Sequence, residues 1–297
     1  MSLHGVLIID KPRGLSSAQV VARVRRELGE KSAGHTGTLD PMATGVLPIV
    51  LGEGTKVATF LLADDKAYEG ELELGVTTDT LDADGKEVAR APWQHLGEPE
   101  VRAAIARLTG DLLQIPPMHS ALKQDGKRLY ELARAGQEVD RDARPVRIDR
   151  FELLTFIPPR LTFAVDCTKG TYVRSLVRDL GDLLGAGATL TALRRTRSGR
   201  FGLAEAVNLD SDLKAAARDR LVSPAAAIDH LPAWTISDAE AARVAQGQRL
   251  PLPADAPAGR IWRILRTSGA LAAVAEARAN EEGILKMSYL RVMVGAP

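Results

Sequence analysis

Apolar and polar positions near the start of the chain follow first strand spacing and then helix spacing. Residues 5–9 form an almost unbroken apolar run, which is typical of a strand that is buried on both faces. Ser16 and Gln19 then have the spacing of a capping box, and apolar residues recur at helical intervals over 20–28 before Gly29. The pattern therefore predicts a buried strand followed by a helix that ends at Gly29.

The same two kinds of spacing continue along the chain. A second buried strand is predicted at 46–51, and alternation of apolar and polar residues predicts a half-exposed strand at 68–74. Helical spacing predicts helices at 98–108 and 171–184, while two strand-like runs lie within 151–167. Because these elements do not repeat as regular βαβ units, the sequence predicts an α+β fold with a mixed or antiparallel sheet and flanking helices.

A boundary between two domains is predicted near residue 232. A new helix start follows it at 237–240, and mostly strand-like sequence then runs to the end of the chain. We therefore divide the chain into a large domain, residues 1–232, and a small β-rich domain, residues 233–297. The strand-like segments of the small domain are 261–266, 270–277 and 284–294.

The composition is that of an ordinary globular protein, with 45% hydrophobic and 26% charged residues in 297. No apolar run approaches the roughly 18 residues that would span a bilayer, and the N-terminus has no signal-peptide pattern. The single cysteine, Cys167, excludes an intramolecular disulfide and is expected to be a small core residue. These features predict a cytoplasmic protein that does not enter a membrane.

Basic residues are clustered, although the net charge is only +1. A charge run is most often a solvated face, and we interpret the first cluster in that way. For the second cluster, a solvated face and contact with phosphate groups remain equal alternatives. The five histidines lack metal-ligand spacing, so no metal is expected. The two clusters are Arg23, Arg25 and Arg26, and Arg194, Arg195, Arg197 and Arg200.

The most informative segment is residues 34–45, which read GHTGTLDPMATG. Its glycines permit sharp bends and close approaches, and Pro41 keeps Asp40 out of the helical region. The segment therefore predicts a rigid loop that presents Asp40, with His35 nearby. Catalytic groups often lie on such loops. The structural alternative is an Asx turn, in which Asp40 only binds its own backbone.

Five further segments occur in an order that is typical of one family. They are DKPRGLSS at 10–17, DKAYE at 65–69, PPMHSALK at 116–123, CTKGTYVRSL at 167–176 and ALRRT at 192–196. Together with the loop, these segments resemble the bacterial tRNA pseudouridine-55 synthases, the TruB family. The resemblance covers most of the chain, and its motifs in this order make a chance match very improbable.

The resemblance implies an enzyme that isomerises uridine 55 in the T loop of tRNA without a cofactor. The C1′–N1 bond is broken, the base rotates, and the bond is remade through C5. Asp40 corresponds to the essential aspartate of the family, and Arg174 corresponds to its partner. An ion pair with Arg174 would lower the pKa of Asp40. From the sequence alone, Arg174 is equally compatible with an arginine on a helix surface.

The resemblance also implies a pocket for a flipped-out base, because a stacked uridine cannot react in place. Tyr68 and Tyr172 correspond to the pocket tyrosines, and Leu193 corresponds to an apolar wall. His35 corresponds to the histidine that occupies the space vacated by the base. Lys11 either supports the loop or contacts phosphate. Without the motif context, a strand tyrosine is more often a core residue.

The family further implies two RNA-binding elements. Residues 118–145 correspond to an insertion that clamps the RNA, and the Asp125-Gly126 pair within it predicts a turn. Residues 233–297 occupy the place of a PUA-type RNA-binding domain. We therefore expect tRNA as the partner, a monomer, and no obligate protein partner.

Three other interpretations remain open at this point. A non-catalytic tRNA-binding or tRNA-folding protein could retain the same fold, although binding alone does not require an acid paired with arginine. A glycoside hydrolase or nucleosidase normally needs two carboxylates, and the motif offers only Asp40. The RNA-guided synthases share many of these motifs but act in multiprotein complexes, and the compact chain favours the stand-alone type.

Overall fold

The computed structural model describes residues 3–120, 122–124, 126–137, 139–253, 256–280 and 283–293. The strands are β1 (Gly5–Lys11), β2 (Ala33–His35), β3 (Thr44–Leu51), β4 (Lys66–Leu74), β5 (Val76–Thr78), β6 (Glu87–Arg90), β7 (Gly110–Gln114), β8 (Lys123–Gln124), β9 (Lys127–Arg128), β10 (Arg144–Ile157), β11 (Arg160–Cys167), β12 (Ala188–Ser198), β13 (Phe201–Gly202), β14 (Val207–Asn208), β15 (Ala233–Ile236), β16 (Ile261–Arg266), β17 (Leu271–Ala279) and β18 (Leu285–Val292). The helices are α1 (Ser17–Leu28), α2 (Ala58–Leu62), α3 (Glu98–Arg107), α4 (Leu129–Arg134), α5 (Val173–Leu184), α6 (Leu213–Arg220), α7 (Pro224–Ala227) and α8 (Asp238–Ala245).

A large mixed sheet forms the centre of the molecule. Its strand order is β14-β1-β3-β12-β4-β11-β10-β7, with β2 added to β3 and β13 added to β12. Most neighbours are antiparallel, while β1 with β14 and β3 with β12 are parallel. The strands predicted at 5–9, 46–51 and 68–74 are confirmed as β1, β3 and β4.

Both faces of the central strands are covered. Leu7 and Ile9 of β1 belong to the main core, whereas Val6 and Ile8 belong to a second cluster on the opposite face. Side chains of α1, α3 and α5 belong to the main core. This double burial explains why the run at 5–9 is apolar at every position.

The predicted helix ends are confirmed by their hydrogen bonds. The Ser16 hydroxyl accepts a hydrogen bond from the backbone N–H of Gln19, and the Gln19 side chain accepts one from the backbone N–H of Ser16. Gly29 ends α1 in the left-handed region, with a φ of 68°. The helix predicted at 171–184 begins slightly later, at Val173, because Tyr172 has an extended backbone.

The C-terminal part is small and β-rich, as predicted. Strands β15, β16, β17 and β18 form a separate four-stranded sheet, and α8 begins with the capping box of Ser237 and Glu240. Ile236, Val244 and Ile264 are among the buried residues of its own core cluster. The boundary at residue 232 remains a prediction, because Leu271, Val274 and Met293 pack in the same cluster as Val6 of the large sheet.

The predicted insertion at 118–145 contains a short hairpin of β8 and β9 followed by α4. Asp125 of the predicted turn lies outside the described residues. The end of this segment already belongs to β10, which pairs with β7 along the edge of the large sheet. Among the described residues, no helix is both long and apolar enough to cross a membrane.

Candidate active site

The loop that follows β2 is fixed to the body of the protein at several points. The Ser17 hydroxyl, at the first turn of α1, accepts a hydrogen bond from the Leu39 N–H at 2.8 Å and donates to the Leu39 carbonyl at 3.1 Å. The Gly14 N–H donates to the Pro41 carbonyl at 2.7 Å. Leu39 and Met42 are both 3% exposed and pack in the main core. Asp40 is therefore held between two anchored residues.

Lys11, at the end of β1, forms hydrogen bonds that support the same loop. Its side chain is fully buried, and its Nζ donates to the carbonyls of Pro12 at 2.8 Å and Pro41 at 3.3 Å. Burial lowers the pKa of Lys11 to about 8, although the nearby Asp40 carboxylate opposes this change. Of the two roles predicted for Lys11, this geometry favours support of the loop over contact with phosphate.

Asp40 faces an arginine from α5. The Arg174 Nε lies 2.9 Å from one carboxylate oxygen of Asp40, and its NH2 group donates to the other oxygen at 3.1 Å. This is the two-pronged geometry that gives arginine–carboxylate pairs their strength and direction. The Arg174 side chain is 4% exposed, so the alternative of an arginine on a helix surface is wrong. The Asp40 side chain remains 34% exposed and is open to a ligand.

The remaining donors of Arg174 are also occupied. They reach the carbonyls of Thr80 at 2.9 Å and His119 at 2.8 Å, and Asp82 approaches the NH1 group at 3.5 Å. Asp82 is 4% exposed, and its carboxylate accepts a hydrogen bond from the Thr80 hydroxyl at 2.6 Å. Arg174 is therefore shared by two carboxylates, Asp40 and Asp82.

The predicted direction of the Asp40 pKa needs correction. Burial raises the pKa of Asp40, and the neighbouring Asp82 carboxylate raises it further. Arg174 and Lys11 lower the pKa, as expected for nearby cations, but the desolvation of the carboxylate outweighs them. The ion pair was predicted correctly, whereas the net shift is upward, because the sequence did not reveal how far the surrounding protein desolvates a carboxylate whose side chain is still one-third exposed.

The two tyrosines of the predicted pocket lie on β4 and directly before α5. Tyr68 of β4 is 9% exposed, and burial raises its pKa. Tyr172 precedes α5, and burial also raises its pKa, against the effect of the Ser120 hydroxyl. The negative charge of Asp40 also raises the pKa of both phenols. Leu193 of β12 is 7% exposed and belongs to the same core cluster as Tyr68.

His35 lies at the end of β2, where the loop begins. Its side chain is half-buried, and its Nδ1 atom has no hydrogen-bond partner in the part of the chain that the structure describes. Burial and the charge of Arg195 lower the pKa of His35, which favours the neutral imidazole. The structure thus brings His35 to the loop, close to Arg195 rather than into the Asp40–Arg174 pair.

The second basic cluster is mostly occupied with contacts inside the protein. Arg194 forms a two-pronged pair with Asp10, Arg197 pairs with Asp166 at 3.3 Å, and Arg200 pairs with Asp229. Arg195 is 1% exposed. A shared role in phosphate contact is therefore not supported for the cluster as a whole.

Two residues of the site were missed by the sequence interpretation. Asp82 lies in an acidic loop that resembles a simple turn, yet that loop folds back so that the Ala83 N–H donates to Leu190 of β12 at 2.9 Å. Arg195 lies two positions after Leu193 on β12, and residues at this spacing face the same side of a strand. This spacing is the signal from which an inward-facing side chain could have been predicted at Arg195. Among the described residues, no group of three or more potential metal ligands occurs.

A mixed sheet, a rigid loop with one accessible carboxylate, and a buried arginine partner define the class of the pseudouridine synthases. Two family models agree with this class. The N-terminal domain of the TruB family pseudouridylate synthases matches residues 25–173, and the C-terminal domain of tRNA pseudouridylate synthase B matches residues 174–228. Neither model reaches the proposed domain of residues 233–297.

Relatives and solved structures support the same assignment. The chain is 52% identical to tRNA pseudouridine synthase B of Aromatoleum aromaticum, over 86% of this chain and 83% of that protein. It is 45% identical to tRNA pseudouridine synthase B of Geobacter sulfurreducens, over 94% and 95% of the two chains. A crystal structure of a Cbf5-Nop10-Gar1 complex matches with a TM-score of 0.75 and 27% identity, over 98% of this chain and 85% of that chain.

The chain therefore belongs to the TruB family of pseudouridylate synthases. It is an isomerase, as the sequence predicted, and neither a non-catalytic binding protein nor a nucleosidase. Its identity to the TruB relatives is well above its identity to the chain from the Cbf5 complex. This difference agrees with the preference for the stand-alone type over the RNA-guided type.

Proposed function

We propose that this chain converts uridine 55 in the T loop of tRNA to pseudouridine, with Asp40 as its catalytic residue. One observation carries the proposal. The Asp40 carboxylate lies on an anchored loop, and Arg174 contacts both of its oxygens, yet the side chain is still one-third exposed. The curated relatives are named tRNA pseudouridine synthase B, which supports tRNA as the substrate.

The reaction requires no group from outside the nucleotide. The C1′–N1 bond breaks, the uracil rotates, and a bond forms between C1′ and C5, while the proton on C5 is lost and N1 gains one. An ionised carboxylate beside the sugar and base is the group that this sequence of steps needs. Arg174 favours the ionised form of Asp40 and fixes its direction, although burial opposes ionisation.

The target uridine would reach Asp40 by flipping out of the T loop. Tyr68 would stack on the flipped base, Tyr172 and Leu193 would line the pocket, and His35 would occupy the space left in the RNA. This assignment is supported by the charge of Asp40, which acts on both phenols, and by the common core cluster of Tyr68 and Leu193. Stacking on an aromatic ring compensates for the loss of base stacking.

The two RNA-binding elements are part of the proposal. Residues 118–145 would clamp the RNA, and residues 233–297 would bind its backbone as a PUA-type domain. Arg243, Arg249 and Arg260 of the second element are exposed and suited to phosphate contacts. We further propose that the enzyme acts in the cytoplasm as a monomer.

A single-turnover assay on an unmodified tRNA transcript tests the proposal. Pseudouridine is mapped by carbodiimide labelling and primer extension, with a transcript that carries cytidine at position 55 as the substrate control. Asp40→Asn is expected to bind tRNA but form no product. Asp111→Asn is the matched control, because its carboxylate is 81% exposed and pairs with Arg147. Product from Asp40→Asn, or product at another position of the tRNA, would contradict the assignment.

A further inference from the structure

Gln114, the last residue of β7, is buried although it is polar and lies at the edge of the large sheet. Its side chain is 3% exposed, whereas the preceding residue on the strand, Leu113, is 75% exposed. In the strand order of the large sheet, β7 is the terminal strand and lies beside β10. Burying an amide without hydrogen bonds is costly, so the partners of Gln114 show what its burial serves.

Both polar atoms of the Gln114 side chain bind the backbone of one residue, Tyr172. The Gln114 Oε1 accepts a hydrogen bond from the Tyr172 N–H at 2.8 Å, and the Gln114 Nε2 donates to the Tyr172 carbonyl at 3.2 Å. The side-chain amide thus pairs with Tyr172 through one donor and one acceptor, as a residue of a neighbouring strand would. This contact joins the edge of the sheet to the start of α5.

The contact fixes the backbone of Tyr172 at the point where its conformation sets the direction of the ring. Tyr172 is the N-cap residue of α5, with a φ of −103° and a ψ of 110°, and its side chain forms no capping hydrogen bond. The orientation of an N–H follows φ, and the orientation of a carbonyl follows ψ. Because Gln114 holds both groups, it also fixes the direction of the Cα–Cβ bond from which the ring projects.

The body of α5 is held independently of Gln114. The Ser175 hydroxyl donates to the Ile115 carbonyl at 2.9 Å, and the apolar side chains of α5 pack in the main core. The hydrogen bonds of Arg174 described above go to other residues than Gln114. Loss of the Gln114 amide should therefore release Tyr172 without displacing the helix or its arginine.

We propose that Gln114 is a positioning residue that sets the direction of the Tyr172 ring in the base pocket. Its amide holds both backbone groups of a residue that lies two positions before Arg174, the partner of Asp40. This inference rests on the proposed pocket role of Tyr172. It extends the site from the catalytic loop, β4 and α5 to the end of β7.

Gln114→Met tests the inference, because methionine has a similar length and volume but forms neither hydrogen bond. In single-turnover assays at saturating enzyme, we expect the rate of pseudouridine formation to fall by about 10- to 100-fold, since a misplacement of about 1 Å can cost about 100-fold. The Kd for tRNA, measured by filter binding, should change by no more than about twofold, because phosphate contacts carry most of the affinity. An unchanged rate, or a loss confined to Kd, would overturn the inference.

Gln94→Met is the matched control. Gln94 is exposed, and its side chain accepts a hydrogen bond from the N–H of the adjacent Trp93 at 3.1 Å. The same substitution at this position should leave both the rate and the Kd at their wild-type values. A loss like that of Gln114→Met would show that the effect is not specific to Gln114 and would overturn the inference.

A double-mutant cycle with Tyr172→Ala separates positioning of the ring from other roles of Gln114. Alanine removes the ring but keeps both backbone groups that Gln114 contacts. If Gln114 acts through the ring, Gln114→Met should slow the Tyr172→Ala enzyme by less than about threefold. An equal loss in both backgrounds would overturn the inference and would indicate that Gln114 acts through α5 instead.

Folding is monitored by circular dichroism and thermal melting for every variant. If Gln114→Met does not fold, the cycle is run by the same criterion with Gln114→Glu, whose carboxylate can still accept a hydrogen bond from the Tyr172 N–H. Failure of both variants to fold would overturn the inference in favour of a structural role. If Tyr172→Ala alone leaves the rate unchanged, the proposed pocket role of Tyr172 is wrong and the inference falls with it. That result is distinguishable from an additive cycle, in which Tyr172→Ala is slow.

Discussion

The two partners of the central ion pair should respond very differently to substitution. Among the residues that the structure describes, Arg174 is the only cation that contacts both Asp40 and Asp82. Arg174→Gln removes this cation, and a glutamine can donate at most two of the hydrogen bonds that Arg174 makes. Asp82 would remain buried without its cation. Removing one partner of a buried ion pair costs about 3–5 kcal/mol, so we expect a loss of that size in the free energy of unfolding.

Asp40→Asn should be mild by comparison. Asparagine keeps one oxygen that can accept a hydrogen bond from Arg174, and Asp82 still compensates the charge of the arginine. We expect the free energy of unfolding to stay within about 1 kcal/mol of the wild type. Urea titration at pH 7 measures both variants, and the melting temperature of Arg174→Gln should fall by on the order of 10 °C. Equal losses in the two variants would refute this reasoning.

The pH dependence gives an independent check. Since burial raises the pKa of Asp40 in the folded state, the folded protein holds this proton at a pH where the unfolded chain has released it. The stability of the wild type relative to Asp40→Asn should therefore be greatest below the ordinary pKa of aspartate. It should fall as the pH rises through the raised pKa. A relative stability that increases with pH would show that Arg174 dominates instead.

Four further predictions concern activity. Tyr68→Phe should retain stacking on the base but slow the reaction. Tyr68→Leu should slow the reaction and also lose about 1–3 kcal/mol of stacking free energy. If Tyr68→Leu is fully active in single turnover, Tyr68 is a core residue rather than a pocket residue. Lys11→Met should lower the rate with little change in tRNA affinity, and a reduced salt dependence of binding would instead indicate a phosphate contact. Replacing Arg249 and Arg260 with Glu should weaken binding of whole tRNA and lower its salt slope by about 0.7–0.9 per contact, measured by filter binding. The acidic limb of the pH–rate profile should lie above the ordinary pKa of aspartate, and Asp111→Asn should leave it unchanged.

The elements of the fold were largely predictable because their signals are local. The capping box of Ser16 and Gln19, the glycine after α1, and the apolar run in β1 each depend on residues a few positions apart. The loop with Asp40 was also predictable, because its glycines permit sharp bends and its proline restricts the backbone of the preceding residue. These predictions required no knowledge of how distant segments meet.

The surroundings of Asp40 were less predictable for the opposite reason. Whether Arg174 is exposed depends on the carbonyls of Thr80 and His119, which lie far away in the sequence and cover it. Asp82 joins the site only because its loop bonds to Leu190. Leu81 in that loop has a φ of 65°, a conformation that side chains with a Cβ rarely adopt. The residues around Leu81 do not predict such a bend.

The pKa of Asp40 shows most clearly which property the sequence alone does not predict. A carboxylate next to an arginine predicts a lowered pKa, and the ion pair is present as predicted. Burial depends on the whole assembly of loop, sheet and helix around the pair, and burial decides the sign. The partners of a charge can thus be predicted from motifs, whereas its solvation cannot.

The apolar run in β1 also bears on the separability of the C-terminal part. A strand that is apolar at every position needs cover on both faces, and α1, α3 and α5 cover only one of them. The short helices α2 and α7 cover part of the other. On the other face, Val6 and Ile8 share a cluster with Leu271, Val274 and Met293. Deleting residues 233–297 would expose this cluster, so a truncated enzyme should lose stability together with tRNA affinity. The exposed arginines of that part are therefore the better sites for testing RNA binding, because their substitution leaves the shared cluster intact.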